Sequence, residues 1–393
     1  YFDEWSWDID VKTVPQKFGI AYVEEALDAV VPKQLRAGNV PGAVIAVGRR
    51  TPDGFETWQK AYGFAQRQPQ PKPMTTTAVF DLASMTKPLA TGTSMMMLAE
   101  QGRVSIDDPV AEYLPEFAAD EAKKKVVIRH LMTHISGLPP YVGAVDQKKI
   151  KNQAGFPCPA AIRQYIRQLP LSGEPGEKVV YSCLNAILCA EIIEAVSGQP
   201  VDQFASQHVF QPLGMNATGF TPSGAQLADC LVTTSAPHGQ GAGGMLLGQV
   251  HDPLAAMQAG VSGNAGLFST AADLSRFAQM MLNGGTLDGV RILQPQTIKQ
   301  MTRVQNSGAL NKHGRPDRRG LLWDLYVPDP SDTGADASFA YGHTGYTGTA
   351  IRIYPDQGVY VIALTNRVHP DDQGQVSGLR RAVWDAVGSV LFE

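Results

Sequence analysis

The sequence predicts an α+β fold: an antiparallel sheet formed by the N- and C-terminal segments and flanked by helices, with a mostly helical lobe inserted between its halves. Three observations predict it: strand-like runs come early, helical apolar spacing fills the middle, and strand-like runs return at the end. The early runs are Gly42–Gly48 (GAVIAVG) and Phe55–Gly63, joined by a turn over Thr51–Gly54 and preceded by a helix over Val23–Arg36. In the middle, Lys87–Gln101, Ile128–Met132, Pro159–Gln168, Asn185–Ser197, Val201–Val209, Ala271–Asn283 and Pro295–Arg303 carry helical spacing with Gly or Pro stops. The returning strands are Gly320–Val327, Ser338–His343, Thr347–Tyr354 and Gly358–Thr365, the last two linked by the turn Pro355-Asp356-Gln357-Gly358. A helix from Val376 to Leu391 closes the chain. The expected division is 1–83 plus 317–393 for the α/β sheet lobe and 84–316 for the helical lobe. The active site is expected in the cleft between them.

Composition narrows the function. The 393 residues, 44% hydrophobic and 18% charged, suffice for a large buried core and argue against disorder. A net charge of −4 supplies no basic field for nucleic acid. No run of 18 apolar residues occurs, so no membrane span is expected in the chain. The four cysteines (Cys158, Cys183, Cys189, Cys230) are too few and irregular for a disulfide framework. Neither a Cys-x-x-Cys pair nor two histidines at helical spacing around a glutamate is present, so no metal or other cofactor is expected. Gly239-x-Gly241-x-x-Gly244 matches a dinucleotide fingerprint superficially, but it follows no strand and is read as a loop. The chain begins at Tyr1 rather than Met, so a preceding segment is expected, a signal peptide being one form it could take.

Three short motifs carry chemistry. In Ser84-Met85-Thr86-Lys87 the lysine follows the serine by one helical turn, which sets an amine beside a hydroxyl that needs a base to become a nucleophile. About one such match arises by chance in a chain this long, so alone it is weak. Pro88 disfavours helical geometry at Lys87 but is tolerated in a first turn. Tyr181-Ser182-Cys183 enters the helix at Asn185, and a tyrosine beside a cationic lysine would have its phenol lowered and could relay protons. In His343-Thr344-Gly345 a titratable ring and a hydroxyl end one strand, and Gly345 removes bulk where a substrate could lie. His130 and His134 are read as structural, and His251-Asp252 and His369 as possible edges of the site. No Gly-x-Ser-x-Gly elbow occurs.

In this order, with Tyr181 97 residues after Ser84 and His343 162 after Tyr181, the motifs resemble the serine β-lactamase and penicillin-binding-protein family, including class C β-lactamases, DD-peptidases and related esterases. The linking segments Ile128–Leu138, Glu174–Tyr181 and Ala265–Phe277 extend the likeness over most of the chain. The resemblance implies that Ser84 is acylated, that Lys87 is its basic partner and that Tyr181 shuttles the proton. It also implies an oxyanion hole from the N–H groups of Ser84 and Tyr346. Cys183, His343, Thr344, Gly345, Asn366 and Arg367 would contact substrate, the last two near a substrate carboxylate. A periplasmic or secreted location is mildly favoured by the same likeness.

Two departures matter. Cys183 stands where class C enzymes carry an asparagine, and His343 where they carry a lysine. The expectation is therefore a carboxylesterase forming an acyl-enzyme on a small-molecule ester or amide. A penicillin-binding DD-peptidase-like enzyme or a weak class C-like β-lactamase comes second, and a non-catalytic binding protein last.

Overall fold

The structure, a computed structural model, describes residues 19–234, 245–306, 309–311, 313–314, 317–328 and 338–392. The glycine-rich stretch Gly239–Gly244 lies outside the described residues. Seven strands, β1 (Gly42–Thr51), β2 (Gly54–Gln66), β3 (Lys72–Pro73), β4 (Asp324–Tyr326), β5 (Ala340–Thr344), β6 (Ala350–Tyr354) and β7 (Val359–Thr365), form one sheet. Their order is β4-β5-β6-β7-β1-β2-β3 and each pairing is antiparallel. The two ends of the sequence meet at the β1–β7 seam, from Ala43 opposite Thr365 to Arg49 opposite Val359.

Helices that frame the sheet and the site are α1 (Ile20–Ala37), α2 (Thr93–Glu100), α3 (Cys183–Ser197), α4 (Ala271–Leu282) and α5 (Ser377–Leu391). The unbroken apolar run of β1 follows from burial on both faces. Ala43, Ile45 and Val47 share one core with Val361 and Ala363, under the apolar stripes Val23, Leu27, Val31 and Leu35 of α1 and Leu379, Val383 and Val387 of α5. Val44 and Ala46 belong to the larger core, with Ile362 and Leu364 and with Leu274, Phe277, Ala278 and Met281 of α4. Alternate residues serve opposite cores because strand side chains alternate in direction.

The expected antiparallel sheet and flanking helices are present, with local differences. The strand expected over Gly320–Val327 is paired only from Asp324 to Tyr326. Before it, Leu322 has φ +62°, and the N–H groups of Leu321 and Leu322 donate to Met301 and Met132 rather than to a strand. A helix over Ala144–Ala154 was not expected, because it buries only Gln147 and Ile150. The expected helix over Val201–Val209 changes after Ala205 into a wider turn over Ser206–Phe210.

One buried carboxyl makes stability depend on pH. Glu191, on α3, is 7% exposed, its Oε1 has no hydrogen-bond partner, and its counter-charge, Arg167 Nη1, is 3.4 Å away. Burial pushes the carboxyl up to about 7, against the pull of Arg167 and Arg163. Its ordinary value is 4.5, so above that pH an unfolded chain has lost a proton that the folded chain keeps. Stability therefore falls as pH rises through this window, by roughly 3 kcal/mol once the folded group has also ionised. Glu191→Gln is expected to raise Tm at pH 8 and to leave it near wild type at pH 4. Equal shifts at both pH values in thermal melts would count against this.

Candidate active site

The site is built around a strained turn. Phe80–Asp81 pairs with Leu267–Ser269, and the chain then passes through Ala83 at φ +46°, a conformation unfavourable for any residue with a Cβ. Three hydrogen bonds hold it: Ala83 N–H donates to Asp81 Oδ1 at 2.8 Å, Thr86 Oγ1 donates to Ala83 O at 2.7 Å, and Leu267 N–H donates to Thr86 Oγ1 at 3.1 Å. A short tight helical turn over Ala83–Met85 is followed by a wide turn over Lys87–Gly92 and then by α2. The wide turn accommodates Pro88, which had argued against helical geometry there. Ser84 and Lys87 thus share a face, with Lys87 Nζ 2.9 Å from Ser84 Oγ.

Lys87 is fully buried and makes two further contacts, to the backbone oxygen of Asn264 at 3.0 Å and to Cys183 Sγ at 3.6 Å. Ser84 and Lys87 both lie close enough to the Tyr181 phenol to favour its ionised form, and Lys87 Nζ lies 5.1 Å from the centre of its ring. Cys183 opens α3 behind the cap Ser182, whose hydroxyl accepts Leu184 N–H at 3.2 Å. Burial alone pulls the Lys87 ammonium down, but Cys183, Tyr181 and Asp252 outweigh it and hold the group above the ordinary lysine range. Burial pushes Tyr181 up, with Lys87 pulling against it, and it does the same to Cys183. The expectation of a lowered phenol is therefore corrected: desolvation outweighs the neighbouring charge.

The sheet supplies the opposite wall. The turn after β5 is clamped onto the residues before Ser84: Thr347 Oγ1 donates to Asp81 O at 2.6 Å and Thr349 Oγ1 to Leu82 O at 3.1 Å. A Cβ at Gly345 would stand 2.4 Å from Leu82 O and 2.2 Å from Thr349 Oγ1. This close approach of two backbones requires a glycine here. From behind, Arg380 of α5 donates to the carbonyls of Gly345 and Thr349, at 3.1 and 2.9 Å.

His343 is 2% exposed, and its Nδ1 lies 2.8 Å from Thr344 O. A carbonyl only accepts, so Nδ1 carries the proton. Burial pushes the ring down to about 4, so His343 is neutral at neutral pH. Asn366 is buried at the end of β7. Arg367 has its guanidinium engaged by Asp372 at 3.0 Å and by the carbonyls of Tyr346, Asp372 and Gly374. Its geometry serves the turn that carries Tyr346.

The nucleophile turn with its lysine, the tyrosine and the Thr-Gly strand thus come from three distant parts of the chain and converge. A family model described as "Beta-lactamase" matches residues 27–383. The chain belongs to the β-lactamase family. Relatives from Salmonella agona strain SL483 and Salmonella typhimurium strain LT2, each named "Putative D-alanyl-D-alanine carboxypeptidase", are 30% identical over 371 residues, covering 87% of this chain and 82% of theirs. Among solved structures, one titled "A class C beta-lactamase" matches with TM-score 0.72 and 18% identity over 95% of this chain and 97% of its own. An octameric penicillin-binding protein homologue from Pyrococcus abyssi matches with TM-score 0.68 and 20% identity over 93% of this chain and 76% of its own. These two share the fold. The expected serine hydrolase is borne out at the level of the family.

Asn264 and Tyr141 in this β-lactamase-family site were not singled out in the sequence, whereas Asp252 was read as a possible edge of it. Asn264 accepts from Lys87 and donates through Nδ2 to Asp252 Oδ1 at 3.1 Å. Asp252 also accepts from the Tyr141 hydroxyl at 2.9 Å and from Ala255 N–H at 2.8 Å. The pair Asp252-Pro253 is itself a helix-start signal that could have placed it. His134, expected to be structural, accepts Ser182 N–H at 3.2 Å and lies 4.6 Å from the Tyr181 ring, fixing that residue. His369 takes the N–H groups of Arg67 and Gln68 on Nε2, and His130 accepts Val127 N–H. Among the described residues no helix is long and apolar enough to cross a membrane.

Proposed function

We propose that this β-lactamase-family hydrolase acylates Ser84 and hydrolyses small, uncharged esters. Its substrate would lie between a sheet lobe of 1–83 with 317–393 and a helical lobe of 84–316. In support, Ser84, Lys87, Tyr181 and Cys183 belong to helical segments or their mouths, whereas Thr344 ends a strand of the sheet.

The chemistry follows from the contacts. A neutral Lys87 can donate to Asn264 O and Cys183 Sγ and turn its lone pair to Ser84 Oγ, 2.9 Å away. Ser84 Oγ bonds to the ester carbon as its proton passes to Lys87. Tyr181 would hand its proton to the departing alkoxide as the ester C–O bond breaks and take up the one held on Lys87, which is neutral again. Water then attacks the acyl carbon, its proton passing to Lys87 and on through Tyr181 to Ser84 Oγ as the bond from acyl carbon to Oγ breaks, and the acid leaves. The negative oxygen of each tetrahedral intermediate would be met by Ser84 N–H and Tyr346 N–H, contacts of a kind that contribute about 3 kcal/mol. The bonds that close the adjoining turn come from Gly345 N–H and Gly348 N–H. Thr344 would flank the substrate on the strand side, with His343 and Gly345 shaping that strand.

The observation that carries the uncharged substrate is His343. It is buried, spends its Nδ1 proton on its own backbone and is pushed down to about 4, so it offers no cation to a substrate carboxylate at neutral pH. A D-alanyl-D-alanine carboxypeptidase is the second reading, favoured by the name of the Salmonella relatives. The test is a turnover panel of p-nitrophenyl acetate and butyrate, a D-Ala-D-Ala peptide and nitrocefin. Rapid ester hydrolysis with little release of D-alanine or opening of nitrocefin is expected. Because Lys87 sits above its ordinary range, kcat/KM on the esters should rise towards alkaline pH, with no step between pH 5 and 7 from His343. Efficient D-alanine release would overturn the ester reading, and a step at pH 5–7 abolished by His343→Gln would overturn the neutral ring.

A further inference from the structure

Arg380 backs the turn that carries Tyr346 and has no part in the mechanism above. It stands half-buried in the first turn of α5, where the helix dipole disfavours a cation. No carboxylate pairs with it among the described residues, and its Nε is buried without a hydrogen-bond partner. Burial pulls the guanidinium down to about 10, so it keeps its charge at neutral pH. Folding alone does not favour an unpaired charge in such a place. Its Nη2 donates to Gly345 O and Thr349 O, the two carbonyls that also take Gly348 N–H at 3.1 Å and Gly345 N–H at 2.7 Å to close the turn. Gly345 O belongs to the peptide unit whose other end is Tyr346 N–H. That unit is planar, so a donor fixed on its oxygen sets the direction of its N–H. The N–H itself has no acceptor among the described residues. Arg367 donates to the next carbonyl, Tyr346 O, but its charge is engaged by Asp372. Of the two arginines, Arg380 is the one whose charge is uncompensated. Thr347 and Thr349 bond the same turn to Asp81 O and Leu82 O, just before Ser84.

We propose that Arg380 is a positioning residue of the oxyanion hole: through the carbonyl of Gly345 it aims and polarises the Tyr346 N–H that meets the negative oxygen of the tetrahedral intermediate. Hydrogen bonds in a row polarise one another, so guanidinium, peptide and oxyanion align from positive to negative charge. The alignment is set before reaction, and its effect grows as negative charge collects on the oxygen. The ground-state ester has only a weakly charged carbonyl oxygen, so the effect falls on kcat rather than on KM. The charge left unpaired in the resting protein is matched in the intermediate.

This rests on acylation at Ser84 with Tyr346 N–H as an oxyanion donor, and the test separates the two. kcat and KM for p-nitrophenyl butyrate, and the Ki of phenylboronic acid, which forms a tetrahedral anionic adduct on a serine, are measured for wild type, Arg380→Met, Arg380→Lys and Ser84→Ala, with a thermal melt of each. Arg380→Met is expected to lower kcat about thirtyfold with KM within about twofold of wild type, a smaller loss than removal of a direct oxyanion donor brings. Its boronate Ki should rise by a similar factor. Arg380→Lys, which keeps the charge, should recover most of both losses. Should Arg380→Met not fold, Arg380→Gln takes its place, with a loss of about tenfold in kcat because a neutral donor polarises the peptide less. An unchanged kcat in the folded neutral variant, a loss that falls on KM, or a loss that Arg380→Lys shares in full overturns the proposal. With Ser84→Ala inactive, that result leaves the acyl-enzyme standing. Full turnover by Ser84→Ala would instead overturn the acyl-enzyme reading.

Discussion

Ser84→Ala is expected to lower turnover of p-nitrophenyl butyrate by a factor of about 10³ or more and to leave the protein folded. The Ser84 hydroxyl lies 2.9 Å from Lys87 Nζ, and Ala83 and Thr86 fix the turn without it. Removing one oxygen at a half-buried position is expected to change stability by no more than about 1 kcal/mol. Intact-mass measurement under rapid quench should show an acyl adduct on the wild type and none on the variant. Undiminished turnover, or an adduct that persists in Ser84→Ala, would move the nucleophile elsewhere and reopen a binding role for this site.

Lys87→Met is expected to cost a factor of about 10³ in kcat, the usual worth of a positioned acid–base group. Methionine has a similar length and no charge. Asn264 O then loses its donor, a penalty of about 1–3 kcal/mol, but the variant no longer buries an ammonium. These terms oppose each other, so Tm should move by only a few degrees while activity collapses. The pH profile gives a second readout: the rise towards alkaline pH should vanish in the variant with Lys87. If the residual activity keeps the wild-type rise, the titrating base is another group.

Some of this was legible in order along the chain. S-x-x-K places serine and lysine one turn apart by backbone geometry alone, and the pair does meet. The run Gly42–Gly48 reads as a strand, and it lies within β1. Other features depend on groups far apart in sequence. Burial raises Tyr181 and lowers His343, but a motif lists neighbours and carries no measure of desolvation. The packing of Gly345 against the carbonyl of Leu82 was not legible either, since that partner lies more than 250 residues earlier.

By itself, then, the sequence determined the order of strands and helices, the nucleophile motif and the family likeness, since these rest on local periodicity, turn chemistry and short-range spacing. Tertiary structure alone decided the charge state and the connections of the site. Desolvation depends on everything packed around a group, and bonds such as Lys87 to Asn264 or His251 to Asp81 form only when the chain has closed on itself.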